Sequence, residues 1–331
     1  MVPPRSWFRE GGWLPQLMAP LAGLYGALVA WRHASYRSGR SRVEASPVPV
    51  IVVGNIFVGG TGKTPLVAWL VERLRAEGWH PGIVSRGYGG RAGDGPTFVA
   101  EASEAVEVGD EPLLLARRTG APVCVGRNRP AAVAALHAQA GCDVVVSDDG
   151  LQHLRMGRAA EIVVIDAERG LGNGRLLPAG PLREPASRLE RVDLVVANGG
   201  PTEQTAYAFH LCPGEPEALD GSQRPWPGGS CHVVAGIGNP GRFFRAAAEM
   251  GLDAYPHAFA DHHTFRARDL AFGFGADWPI LMTEKDAVKC RHLPQAERIW
   301  TLPTQVVTTP ELEFAVSCLL ARILTQGASA R

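Results

Sequence analysis

A run of β-branched residues that ends in a glycine-rich turn and opens a helix, and a second strand–turn–helix pattern past residue 230, predict an α/β protein. The class they indicate is a P-loop NTPase-like α/β/α sandwich with a second, smaller α/β domain. The first pattern carries most of the information. Residues 48–53 (VPVIVV) read as a strand buried on both faces. Gly54, Gly59, Gly60, Thr61 and Gly62 make the turn, Lys63, Thr64 and Pro65 follow, and residues 66–75 are amphipathic. Glycines let backbone N–H groups converge on an anion, and the new helix adds its positive dipole end. In such a loop Lys63 would reach the β- and γ-phosphates of a nucleotide and the Thr64 hydroxyl would sit on Mg²⁺, while Pro65 suits the first helical turn.

The loop departs from G-x-x-x-x-G-K-[ST] by having Phe57 in place of the first glycine. Its local form, GGTGKT, is closer to the loops of metabolic and partitioning ATPases, but Val58 stands where those carry a further lysine. A kinase, a nucleotide switch and a glycine turn without a ligand all fit the loop alone.

The 331 residues are enough for two domains, and equal numbers of acidic and basic side chains give no general attraction to nucleic acid. Six cysteines without a C-x-x-C pair suit a reducing compartment better than a disulfide framework or a zinc site. No protein partner is evident.

Residues 13–31 are almost wholly apolar and are followed by Arg32, His33, Arg37, Arg40 and Arg42. Pro15, Gln16 and Pro20 interrupt the stretch, and the unbroken part is too short to cross a bilayer. It reads as an interfacial segment with its arginines on anionic lipid, the alternative being a core helix. Past the loop, residues 80–88 form a second strand whose end carries Arg86 and Tyr88. Asp110 lies where a helix N-cap would, with Pro112 in the first turn; a carboxylate aimed at a substrate hydroxyl is the other reading. A short strand over 122–125 leads to Arg127 and Arg129 at a further helix start. Residues 143–147 are a buried strand ending in Asp148 and Asp149, the Walker-B arrangement for holding Mg²⁺. A strand over 161–166 precedes a long Gly-, Pro- and Arg-rich loop, 169–185, in which Arg183 and Glu184 look like ligand contacts. Residues 191–197 add a strand and 198–230 read as linker and edge strands. The second α/β unit holds residues 231–235 with the GIGNPG turn, Asp261-His262-His263, and a strand running into TEKDAVK. Residues 310–324 are an amphipathic helix.

In this order GGTGKTP, GDEP, DDGLQH, LPAGPLREP, AGIGNP, DHH and TEKDAVK resemble the tetraacyldisaccharide 4′-kinases of lipid A biosynthesis, over residues 14–324. The resemblance implies transfer of the γ-phosphoryl group of ATP to the 4′-hydroxyl of a tetraacyldisaccharide 1-phosphate, forming lipid IVA at the cytoplasmic face of the inner membrane. It implies an ATP and Mg²⁺ site at Gly59, Gly60, Thr61, Gly62, Lys63, Thr64 and Pro65, with Asp148 and Asp149 near the metal and Glu184 on the nucleotide. Asp110 becomes the candidate base and His262 its partner, which reverses the preference for a cap; no role is implied for His263. The expected units are a membrane-interface segment over 1–43, a kinase domain over 44–200, a smaller domain over 201–309 and a last helix, 310–331, that could return to the kinase domain.

Overall fold

The computed structural model describes residues 4–8, 12–91, 93 and 95–328. Helices α1 (Trp13–Leu17) and α2 (Ala19–Arg37) precede strand β1 (Val50–Gly54), which is buried throughout. The glycine turn then opens α3 (Lys63–Ala76). There follow β2 (Pro81–Ser85), β3 (Thr97–Phe98), α4 (Ala105–Val108), α5 (Asp110–Thr119), β4 (Val123–Val125), α6 (Arg129–Ala140), β5 (Val144–Asp148), β6 (Ala160–Asp166) and β7 (Leu194–Asn198). Strands β8 (Ala208–Pro213) and β9 (Glu217–Ala218) lead to β10 (Ser230–Ala235), α7 (Pro240–Glu249) and β11 (Asp253–Ala258). The chain ends with β12 (Ile280–Thr283), α8 (Glu284–Ala287), β13 (Ile299–Leu302), β14 (Thr304–Thr308) and α9 (Pro310–Ala328).

These strands make two sheets. The large one runs β14-β8-β7-β6-β1-β5-β2-β4-β3 and the small one β11-β10-β12-β13-β9. Neighbours within the large sheet are parallel from β8 to β4, with β14 and β3 antiparallel at the edges. The continuous Val and Ile runs of β1, β5 and β6 follow from burial on both faces. Strand β1 lies between β5 and β6, with Val53 opposite Asp148, so the glycine turn and the two acids share one end of the sheet. That end is where parallel sheets place ligands.

The stretch 201–309 gives its two end strands, β8 and β14, to the large sheet. Helix α9 packs on that sheet as well: Leu312, Val316, Leu319, Leu320 and Ile323 share a core cluster with Leu66, Leu70 and Phe209. The small sheet is thus inserted between strands of the large one. Helix α2 is not a core helix, since Ala22 is its one buried residue. Leu17, Leu21, Leu24, Leu28 and Trp31 stand exposed at intervals of three or four, which is one stripe of a helical surface. Among the described residues no helix is long and apolar enough to cross a membrane.

Candidate active site

The glycine turn is held from beneath by two buried amides. Asn55 donates to the Gly59 carbonyl and the Thr61 hydroxyl, both at 3.2 Å, and Asn198 donates to the Thr61 carbonyl at 3.3 Å. Gly62 caps α3 in the left-handed region (φ 88°), and a Cβ there would lie 2.5 Å from Asn198 Nδ2. Glycine is required on both counts. Lys63, Thr64 and Pro65 form the first turn of α3, so the positive end of that helix faces the turn. Phe57 is explained by packing: it is buried, bridges to Leu182 in the long loop, and lies 5.5 Å beneath the Arg169 guanidinium.

Both acids at the end of β5 meet this turn. Lys63 Nζ lies 3.4 Å from Asp149 Oδ1, and Arg183 Nη1 lies 3.1 Å from Asp149 Oδ2. Burial pushes the Asp149 carboxyl up, but Lys63 and Arg183 outweigh it and hold the group at about 2. Asp148 is fully buried, and its Oδ1 has no hydrogen-bond partner. Burial, with the charges of Glu111 and Asp149, pushes its carboxyl well above the usual range. An orphaned, buried carboxylate oxygen beside a second acid is a place for a cation. Arg129, expected at a helix start, is buried and donates to the Asp149 carbonyl (2.9 Å) and the Ser147 hydroxyl (3.3 Å), so it fixes the backbone of the acid pair.

Asp110 is not the helix cap. Gly109 takes that position with φ 91° and ψ 151°, a conformation closed to other residues, and a Cβ there would meet the Tyr88 carbonyl at 2.8 Å. The Asp110 side chain is thereby free to face the small sheet. His262 Nδ1 donates to its Oδ2 at 2.9 Å across 152 residues of sequence. Lys285, at the start of α8, places its Nζ 3.1 Å from Glu111 Oε1 and 3.8 Å from both Asp110 Oδ2 and Asp261 Oδ1. Burial works to raise the Asp110 carboxyl, yet His262 and Lys285 together hold it below its ordinary value. The same hydrogen bond raises His262. Asp149 and His262 both have left-handed backbones, with φ of 47° and 60°. Such strain costs about 1–3 kcal/mol for a residue with a side chain and clusters at functional sites.

Glu184 and His263 each have partners of their own. Glu184 is buried, with 2 % of its side chain exposed: Gln152 Nε2 donates to its Oε1 at 2.8 Å, and Arg188 Nε (3.1 Å) and His33 Nε2 (3.0 Å) meet its Oε2. His263 pairs with Asp269 at 3.1 Å and packs on Phe259 and Phe265, apart from Asp110. Two residues that the motifs did not single out, Glu111 and Lys285, pair with each other beside Asp110 and tie α5 to α8. Their signal was position alone, next to Asp110 and at the end of a buried strand.

The family described as tetraacyldisaccharide-1-P 4′-kinase matches residues 14–321. The chain belongs to this family. It is 60 % identical to the tetraacyldisaccharide 4′-kinase of Halorhodospira halophila, over 98 % of each chain. It is 49 % identical to the enzyme of that name from Pseudomonas aeruginosa, over 92 % of each. Its fold superposes on the crystal structure of the Aquifex aeolicus family member LpxK in complex with ATP with a TM-score of 0.80, at 26 % identity, covering 94 % of this chain and 99 % of that one. In this family member the phosphate loop and acid pair come from the large sheet, and His262 and Lys285 come from the inserted one.

Proposed function

We propose that the chain transfers the γ-phosphoryl group of ATP to the 4′-hydroxyl of tetraacyldisaccharide 1-phosphate, the reaction that yields lipid IVA in lipid A biosynthesis. The observation that carries this reading is the hydrogen bond from His262 of the inserted unit to Asp110 of α5, next to Glu111, whose charge reaches Asp148. A nucleotide switch needs no such pair. A kinase needs a group to orient the acceptor hydroxyl, because the loose transition state of phosphoryl transfer depends mainly on positioning.

Asp110, kept ionised by its neighbours, accepts the hydrogen bond of the acceptor hydroxyl. His262 fixes the carboxylate through Nδ1 and takes part of the charge. Lys63 and Arg183, which hold Asp149, are the cations that receive the phosphates. The hydroxyl of Thr64 and the carboxylates of Asp148 and Asp149 are hard oxygen donors, and the unpartnered Asp148 Oδ1 fits Mg²⁺. When bound, that ion neutralises charge on the transferring phosphate oxygens. The backbone of Gly59, Gly60, Thr61 and Gly62 cradles the phosphates, and Pro65 keeps the helix start rigid.

The outer stripe of α1 and α2, from Leu17 to Trp31, lies on the cytoplasmic face of the inner membrane with Arg32, Arg37, Arg40 and Arg42 among the anionic headgroups. The acyl chains of the lipid acceptor then lie along this stripe. Incubation with ATP labelled at the γ position and the tetraacyldisaccharide in micelles tests the reading. Labelled lipid is expected, reduced about 10²–10³-fold in Lys63→Ala, the loss typical of removing one charge-stabilising group. Acceptor-independent ATP hydrolysis with no labelled lipid would favour a nucleotide switch.

A further inference from the structure

Helix α2 has a second face. Opposite its exposed leucines, the Tyr25 hydroxyl donates to the Arg183 carbonyl at 2.9 Å and His33 Nε2 meets Glu184 Oε2 at 3.0 Å. Gly26 faces the loop here: a Cβ on it would lie 2.8 Å from the end of the Leu176 side chain. Arg175 reaches back to the Pro15 carbonyl at 3.2 Å. The inner face of the apolar helix is therefore seated on the stretch 175–184 of the long loop.

That loop is laced in turn to the phosphate loop. The Arg183 N–H donates to the Ile56 carbonyl (2.7 Å) and the Val58 N–H donates to the Pro181 carbonyl (2.9 Å). The Arg183 guanidinium holds Asp149. Gln152 carries the contact further, since one amide nitrogen bonds both Glu184 Oε1 (2.8 Å) and the Asn55 carbonyl (3.0 Å). Two residues of α2 are thus linked to groups that shape the phosphate site: Tyr25 to Asp149 through Arg183, and His33 to Asn55 through Glu184 and Gln152.

We propose that Tyr25 and His33 are positioning residues for phosphoryl transfer, holding Arg183 and Glu184 so that the phosphate loop and Asp149 keep the geometry that receives Mg-ATP. This rests on the kinase reading for its catalytic consequence, and on geometry alone for its consequence on nucleotide binding. One helix then faces lipid with one side and sets the phosphate site with the other. The membrane helix becomes part of the nucleotide site without touching a nucleotide.

The variants suited to a test are His33→Ala and Tyr25→Phe in the full chain. His33→Ala leaves Glu184 bonded to Arg188 and Gln152, so no buried charge is stranded and the fold is retained. Three quantities are measured: the Kd of Mg-ATP by calorimetry without lipid, sedimentation with vesicles of phosphatidylethanolamine and phosphatidylglycerol, and the thermal midpoint. Mg-ATP binding is expected to weaken about tenfold in both variants, the loss typical when a group behind a ligand contact is removed. Vesicle binding and thermal midpoint should stay at the wild-type values, and His33→Gln, which can still donate to Glu184, should recover most of the affinity. Wild-type Mg-ATP affinity in both variants would overturn the proposal, as would a loss that His33→Gln does not relieve. Wild-type protein that binds Mg-ATP but labels no lipid would refute the kinase reading, while the Kd comparison would still decide this one.

Discussion

Strands β1 and β10 each run inside a parallel sheet, each ends in a glycine turn and each feeds a helix, α3 and α7. The turns differ in what fills them. At β1 the neighbouring strand β5 ends in Asp148, followed by Asp149; Asp149 is ion-paired to Lys63, and Asp148 is buried with an unpartnered oxygen. At β10 the neighbouring strand β12 leads to Asp286, and that carboxylate goes into the turn itself. It accepts from the Gly236 N–H at 2.7 Å and from the Thr283 hydroxyl at 2.7 Å, and it pairs with Lys289 at 2.8 Å. The second turn already holds an anion supplied by its own chain, and the first is left for a ligand. Strand, turn and helix make a cradle, and the position of the nearest carboxylate decides whether it can be used.

The same short helix, α8, serves both turns. Asp286 stays with the small sheet, while Glu284 pairs with Arg118 at 3.1 Å and Lys285 reaches Glu111 and Asp110 on α5. The inserted unit keeps its own turn filled and sends charge towards Asp110. The largest effect should therefore come from the residue on which that contribution converges. Asp110→Asn preserves shape and removes the ionisable oxygen, so turnover should fall about 10²–10⁴-fold, the usual worth of a proton-accepting group. The Kd for Mg-ATP, measured by calorimetry, should change little. A collapse of nucleotide binding would make Asp110 a phosphate or metal contact and would sink its role as base.

What could be read from the chain followed the same division. The phosphate loop was legible because its parts are consecutive: a buried strand, glycines at the turn, Lys63 and Thr64 at the helix start. The acid pair was legible for the same reason. Asp110 was ambiguous, since a helix begins there whether it caps or catalyses; only the resemblance to a family favoured the second reading, and its partner lies 152 residues away. At Glu184 a loop rich in Gly, Pro and Arg suggested a ligand contact, and the imidazole that pairs with its carboxylate, from α2, left no local signal. Strands β8 and β14 pair with each other across the inserted sheet, a closure that no local periodicity encodes.

Lys285→Met breaks the contribution of α8 without touching the phosphate loop. His262 still holds Asp110, and Glu111, which is partly exposed, can be solvated. The loss of turnover at neutral pH should be moderate, about tenfold, in line with the usual free energy of a charge-assisted hydrogen bond. The pH profile is more telling. Burial raises the Asp110 carboxyl; His262, Lys285 and Lys289 lower it; the net position is below the ordinary value. Removing the Lys285 charge must raise it, so a higher pH is needed to ionise the base and the acidic limb of kcat/KM should move to higher pH. Lys285→Arg should restore the limb. A profile identical to wild type would mean that Lys285 only ties the two sheets together.

The smallest effect on catalysis belongs to the turn that is already filled. Asp286→Ala removes an anion with no exposed surface and strands the Gly236 N–H and the nearly buried Lys289. Breaking a buried pair from one side costs about 3–5 kcal/mol, because the remaining charge has lost its partner. Urea denaturation should show a loss of that size, and turnover per folded molecule at low temperature should stay within about twofold of wild type. Asp286→Asn, which keeps one acceptor for Gly236, should lose less. If Asp286→Ala instead lowers turnover as steeply as Asp110→Asn while the protein remains folded, the carboxylate at β10 works with the first site, and the division between an open turn and a filled one is wrong.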